Sequence, residues 1–150
     1  MEIEFCLTWS QAGRSASRAF KYASAYQLFS EYVDRISKLM PCRVFGNLNG
    51  APEKGAKLWI CDRGTGALSF TSEDLAKRFE KLLDSGTRKL QILIGGPDGF
   101  SEAEMKRLKP DLRWSFGSLT LPHELAAVVA GEQIYRALTI IRKIPYHLGH

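Results

Sequence analysis

Leu90-Gln91-Ile92-Leu93-Ile94-Gly95-Gly96-Pro97-Asp98-Gly99 is the stretch on which the fold turns. A short, almost unbroken apolar run stands between the basic pair Arg88-Lys89 and two glycines, without the apolar/polar alternation of a half-exposed strand. Such a run suits a strand covered on both faces, as at the centre of a parallel sheet. The glycine-rich turn behind it sets main chain at the carboxyl end of that strand, where open α/β sheets bind ligands, and glycine lets a ligand come close to the backbone. The turn lacks the Gly-x-Gly-x-x-Gly and Gly-Lys-Ser/Thr spacings, which argues against a dinucleotide or triphosphate cradle. Taken alone, Gly-Gly-Pro-x-Gly is more often an ordinary tight turn.

Working outward, the flanking segments alternate between strand and helix signals. On the amino-terminal side, Ile3, Phe5 and Leu7 alternate with Glu2, Glu4 and Cys6 and predict a strand ending near Trp9. Apolar residues at mixed three- and four-residue spacing predict one long helix, with room for a break, over residues 17–40, stopped by Pro41. Val44-Phe45 is a short strand candidate, residues 47–55 form a loop, and Lys57-Leu58-Trp59-Ile60-Cys61 is a buried strand. Thr71 and Ser72 cap a helix whose Leu75, Phe79, Leu82 and Leu83 form one stripe, ending at Gly86.

On the carboxyl-terminal side, Ser101 and Glu104 form a capping box for a short helix closed by Pro110. Residues 113–120 are a further strand candidate, and Pro122 suits the first position of a last helix, apolar over much of its circumference. That helix is therefore either central or at a subunit interface. The alternation predicts an α/β fold, a largely parallel sheet flanked by helices, in one domain over residues 1–150.

Bulk properties narrow the function. No apolar segment approaches the roughly 20 residues a membrane span needs, and the opening residues carry acid where a signal peptide carries base, so the chain reads as cytosolic with no membrane partner. The three cysteines, Cys6, Cys42 and Cys61, are far apart and lie in or beside apolar segments, so they read as reduced thiols and not as a disulfide framework or a metal knuckle. A formal charge of +5 makes a polyanionic partner plausible.

Three further segments carry chemical interest. Gly117-Ser118-Leu119-Thr120-Leu121-Pro122-His123 is a small, apolar bend feeding a helix amino terminus, whose free amides suit an adenine edge or a carboxylate. Glu132 and Arg136 lie one helical turn apart and can pair with each other, or Arg136 can face a phosphate or a carboxylate. The tail Ile144-Pro145-Tyr146-His147-Leu148-Gly149-His150 puts an aromatic and a titratable ring at a chain end, where fraying is the ordinary expectation. His147 and His150 are also a possible accidental metal-binding pair. Gly64-Thr65-Gly66 follows a strand but has Ser69 where a third fingerprint glycine belongs.

Taken in order, the segments ILIGGPDGF, WSFGSLTLPHELAAVVAGEQIYRA and PYH resemble the RlmH family of SPOUT methyltransferases, specifically over residues 59–147. The resemblance implies a SPOUT-type α/β knot, with a deep trefoil knot in the carboxyl half, and a homodimer. It implies S-adenosyl-L-methionine as methyl donor and N3 of a pseudouridine in large-subunit ribosomal RNA, free or in the assembled ribosome, as acceptor. Family cofactor contacts fall on Ile60, Gly96, Gly117, Ser118, Leu119, Thr120, Leu121 and Pro122. Arg136, Tyr146 and His147 fall where RNA and methyl group meet, with His123 near them in sequence. The family usually has a further helix between the strand around Val44 and the one ending at Ile60, where this chain has only a loop.

The implied mechanism is direct methyl transfer to a uracil-type ring nitrogen, with the protein supplying position and removal of a proton. His147, or a water it orients, would take that proton, Tyr146 would stack on the base, and Arg136 would hold a phosphate. Two other readings stay open: a divergent homologue that binds RNA or cofactor without methylating, and a purely structural dimer module.

Overall fold

The computed structural model describes residues 1–10, 16–46 and 53–148. Five strands, β1 (Glu2–Leu7), β2 (Cys42–Gly46), β3 (Ala56–Cys61), β4 (Lys89–Ile94) and β5 (Leu112–Trp114), form one sheet in the order β2-β1-β4-β3-β5. Every pairing is parallel. The apolar run that begins the sequence argument is the middle strand, paired on both sides. Its register brings Leu7, Ile94, Cys61 and Trp114 level at the carboxyl edge, so all the loops that follow these strands leave from one side of the sheet.

Four helices accompany the sheet: α1 (Ala23–Ser37), α2 (Ser72–Asp84), α3 (Glu102–Leu108) and α4 (His123–Ile141). Period two splits each strand between two cores. Ile3, Phe5, Leu7, Trp59, Leu90, Ile92, Ile94 and Trp114 face the main core with α1, α2 and α4, whereas Cys6, Leu58, Ile60 and Leu93 meet Leu108 of α3 on the other side. Helix α4 lies against both α1 and α2. Its small residues Ala127, Ala130, Gly131 and Ala137 are buried, and a methyl group at Gly131 would come within 3.4 Å of Tyr32. One chain therefore buries most of the apolar surface of α4, and its apolar circumference marks a central helix without requiring a subunit interface.

Helix α2 follows its sequence signals closely. Thr71 caps it through the Asp74 amide at 3.1 Å, and Leu75 and Phe79 are buried. Helix α3 carries both halves of the predicted capping box, Glu104 amide to Ser101 and Ser101 amide to Glu104, each at 3.1 Å.

Several boundaries differ from expectation. A separate 3-10 turn, Ala16–Ala19, precedes α1, which is capped by Lys38, three residues before Pro41. Lys109, at φ 47, ends α3 in the left-handed conformation before Pro110 is reached. Strand β5 stops at Trp114 and does not run to Thr120, because the Ser115 hydroxyl takes the Gly117 amide at 3.1 Å and turns the chain out of the ladder. Pro122 is the N-cap of α4, and His123 is its first residue. Most of the loop expected over 47–55 lies outside the described residues, as do Gly149 and His150. Among the described residues no helix is long and apolar enough to cross a membrane.

Candidate active site

The carboxyl edge of the sheet opens into a cleft of about 660 Å³, built from three loops. Cys61 ends β3 and Asp62, Arg63 and Gly64 follow it, Ile94 ends β4 and residues 95–100 follow it, and Phe116 with residues 119–123 and Ala126 follow β5. The volume lies within the range of small-molecule sites, roughly 300–1,000 Å³. Phe100, Phe116, Leu119 and Leu121 supply apolar surface, while Asp62, Arg63 and Asp98 supply charge.

The glycines here have different physical causes. A Cβ at Gly96 would lie 3.1 Å from Cβ of Trp9, and one at Gly95 would lie 2.9 Å from the Phe100 ring, so both positions are small because side chains pack against them. Gly117 is the reverse case: nothing lies near a built Cβ, but φ is +104, a conformation that favours glycine. The N-cap Pro122 offers no side-chain bond to the first turn of α4, so first-turn amides remain available to a bound group. These features fit a nucleoside-sized ligand carrying a carboxylate.

One ion pair fixes the β3 loop. Arg113, on β5, donates to the Asp62 carboxylate through Nε at 2.9 Å and through Nη2, and also to the Thr65 carbonyl. Burial works to raise the Asp62 pKa, but the Arg113 hydrogen bond and the amides of Arg63 and Gly64 outweigh it and hold the carboxyl below its ordinary range. The Cys61 thiol is pushed up by burial and then by Asp62, so it stays protonated.

A second polar assembly lies further along α4. Glu132 accepts from Arg136 Nε at 2.9 Å, from Arg136 Nη2 at 2.6 Å and from the Tyr146 hydroxyl at 3.0 Å. The Arg136 guanidinium lies 4.8 Å from the centre of the Tyr146 ring, which meets Tyr135 edge-on at 4.8 Å. Arg136 also reaches His147 Nδ1 at 2.9 Å, and His147 Nε2 lies 2.7 Å from Glu73 on α2. Arginine only donates, so Nδ1 is the acceptor and the ring proton sits on Nε2, pointing at Glu73. The His147 bond holds the Glu73 carboxyl below its usual range. The Tyr146 hydroxyl is pushed up by burial first and then by its bond to Tyr32.

The residues singled out from sequence thus fall into two groups. Gly96, Leu119, Thr120, Leu121, Pro122 and His123 line the cleft. Gly117 and Ser118 stand in the bend that leads to it, and the Ile60 side chain is fully buried on the opposite face of the sheet, next to the cleft residue Cys61. Arg136, Tyr146 and His147 come together, but with one another and away from those lining residues. Arg136 lies ten positions beyond Ala126 on the helix, or about 15 Å along α4 at 1.5 Å per residue. The tail is docked through His147, contrary to the fraying expected of a chain end.

Asp62 and Arg63 in the cleft, and Glu73 and Tyr32 in the tail cluster, were not singled out from sequence, while Asp98 and Phe100 stood inside the glycine-rich turn without a role of their own. The position of Asp62 directly after a buried strand was the available signal. The partnership of Glu73 with His147 spans 74 positions and has no local signature.

The chain is similar to known proteins over much of its length. The family described as "Predicted SPOUT methyltransferase" matches residues 49–147. The Ribosomal RNA large subunit methyltransferase H of Chelativorans sp. (strain BNC1) is 36% identical over 143 residues, covering 81% of each chain. Its namesake in Brucella anthropi is 41% identical over 100 residues, covering 67% of this chain and 60% of the relative. The one in Xylella fastidiosa is 49% identical over 81 residues, covering 54% and 49%.

Proposed function

The chain belongs to the SPOUT methyltransferase family, and on that premise we propose that it methylates large-subunit ribosomal RNA, using S-adenosyl-L-methionine, at N3 of a pseudouridine. The observation that carries this reading is the cleft itself: its three loops all lie within the matched segment, and its lining joins apolar walls to free helix amides. When bound, S-adenosyl-L-methionine supplies an electrophilic methyl group on a sulfonium sulfur.

The chain's own residues would do the holding. The main chain at Gly96, Gly117, Ser118 and Thr120, with the side chains of Leu119, Leu121 and Pro122, would receive the nucleoside and the amino-acid portion. Ile60 would contribute only through its backbone, because its side chain is committed to the smaller core. Family membership also carries the expectation of a deep trefoil knot in the carboxyl half and a cytosolic dimer.

The tail cluster would contact RNA. Tyr146 offers a ring for stacking, and the Arg136 guanidinium, already bonded to Glu132 and His147 and lying 4.8 Å from the centre of that ring, holds it in place. Since this cluster stands about 15 Å along α4 from the cleft of its own chain, a two-fold partner is the natural way to bring one copy's tail to the other copy's cleft. The exposed apolar residues Tyr22, just before α1, Leu28 on α1 and Leu125 on α4 supply surface for such a contact. With both ring nitrogens of His147 engaged, the geometry favours a positioning role for that residue over proton transfer.

The test is transfer of tritium from methyl-labelled S-adenosyl-L-methionine to ribosomal RNA of a strain lacking this gene, followed by mapping of the labelled nucleotide. Label at a single large-subunit pseudouridine is the expected result. Cofactor binding without transfer to any ribosomal RNA would overturn the reading.

A further inference from the structure

This inference rests on the methyl-transfer reading and adds to it the group that receives the proton. A uracil-type ring nitrogen bearing hydrogen is a poor nucleophile until that proton leaves, so a base must stand beside the acceptor. The cleft offers few choices. Asp62 is bound by Arg113 and its pKa is lowered, the Cys61 thiol keeps its proton, and Arg63 is a cation. Carboxylates as a class are weak bases at neutral pH, whereas imidazole is the side chain that exchanges its proton there.

His123 lines the cleft at the amino end of α4. Its ring packs edge-on against Trp9 at 4.7 Å, and the Trp9 indole N–H is tied to the Ala19 carbonyl, so the imidazole rests on a fixed wall. Behind it, Glu124 is 4% exposed. One oxygen of Glu124 accepts the Tyr22 amide at 3.0 Å, and the other lies 3.9 Å from His123 Nε2. That separation is too long for a hydrogen bond and sets a carboxylate directly behind the ring.

We propose that His123, backed by the buried Glu124 carboxylate, is the proton acceptor of the methyl transfer. The ring N–H proton passes to an imidazole nitrogen, the freed electron pair on the ring nitrogen forms the bond to the methyl carbon, and the sulfonium sulfur keeps the pair of the bond that breaks. The resulting imidazolium then returns its proton to water.

Two measurements test this. In the cofactor-free protein, the His123 ring resonances, assigned by their loss in His123→Gln, are followed by NMR against pH. Glu124 is the charged group beside this ring, and Asp62, Arg63 and Asp98 line the same cleft. Glu124→Gln is expected to lower the midpoint relative to wild type, because it removes the carboxylate behind the ring. A midpoint that stays or rises overturns the pairing. In single turnovers with saturating cofactor and large-subunit RNA, His123→Ala is expected to slow transfer about 10²–10⁴-fold, with an unchanged cofactor dissociation constant and partial rescue by added imidazole. His123→Gln serves in its place, without the rescue arm, if the alanine variant does not fold. Normal turnover in the variant, or a loss matched by lost cofactor affinity, overturns the assignment. A wild-type protein that transfers no methyl group to RNA would instead defeat the function proposed above, while the NMR result would still decide the pairing.

Discussion

The cleft and the tail cluster share helix α4 but are built in opposite ways. The cleft is made largely of main chain and apolar edges, with the Asp62–Arg113 pair as its chief polar clamp. The cluster around Glu132 is made of side chains tied to one another, with Arg136 only 9% exposed. An open backbone surface is suited to receiving a ligand, because its donors are not yet spent. A closed network is suited to holding side chains in one arrangement, and it is stable only while every member is present. The difference implies that mutations in the cleft should weaken cofactor binding at small cost in stability, and that mutations in the cluster should cost stability with little effect on cofactor binding.

The largest stability effect is expected from Glu132→Ala. It strips the carboxylate from the largely buried Arg136 and from the Tyr146 hydroxyl, and removing one partner of such a pair costs about 3 kcal/mol. Urea unfolding would measure it, and an unchanged midpoint would show that the tail is not docked in solution. Removing residues 146–150 is next. The edge-on contact with Tyr135, the cation contact with Arg136 and the bond to Glu132 together predict a loss of about 2 kcal/mol, where a frayed tail would cost nothing.

Gly117→Ala should cost about 1 kcal/mol through its positive φ while weakening S-adenosyl-L-methionine in calorimetry by more than either tail change. Equal weakening by all three variants would erase the distinction. The smallest effect concerns Asp62. Its pKa is lower in the folded chain than in the unfolded one, so its contribution is complete above the unfolded value of about 3.9 and fades as pH falls through the folded value. Stability of wild type minus that of Asp62→Asn should therefore be flat from pH 5 to 8 and shrink below about pH 4. A difference that grew on acidification would contradict the Arg113 clamp.

The contrast also explains what could be read from sequence. Elements with local causes were legible: the middle strand from its apolar run, α2 from Thr71 and its stripe, and α3 from Ser101 and Glu104. The carboxyl-edge turn was legible for the same reason, since a parallel strand dictates where its following loop must go. Strand β5 was overextended because the Ser115 turn competes with a plausible apolar alternation. The cluster was legible only in its one-turn pair, Glu132 with Arg136. Glu73 and His147 meet only because α2 and α4 pack side by side, and Arg113 finds Asp62 only because β5 adds to the edge of β3. Tertiary proximity of that kind leaves no periodic trace.

The central claim is that the cleft of one copy and the tail of another complete a single methyl-transferring site, and subunit mixing tests it most directly. One variant carries Gly117→Ala with Thr120→Arg to close the cleft, and the other lacks residues 146–150. Each alone should be folded and inactive on large-subunit ribosomal RNA. Co-expressed and purified as a mixed dimer, the two should recover a substantial fraction of wild-type methyl transfer, because one intact cleft then faces one intact tail. Mixed dimers that form but remain as inactive as their parents would contradict the account.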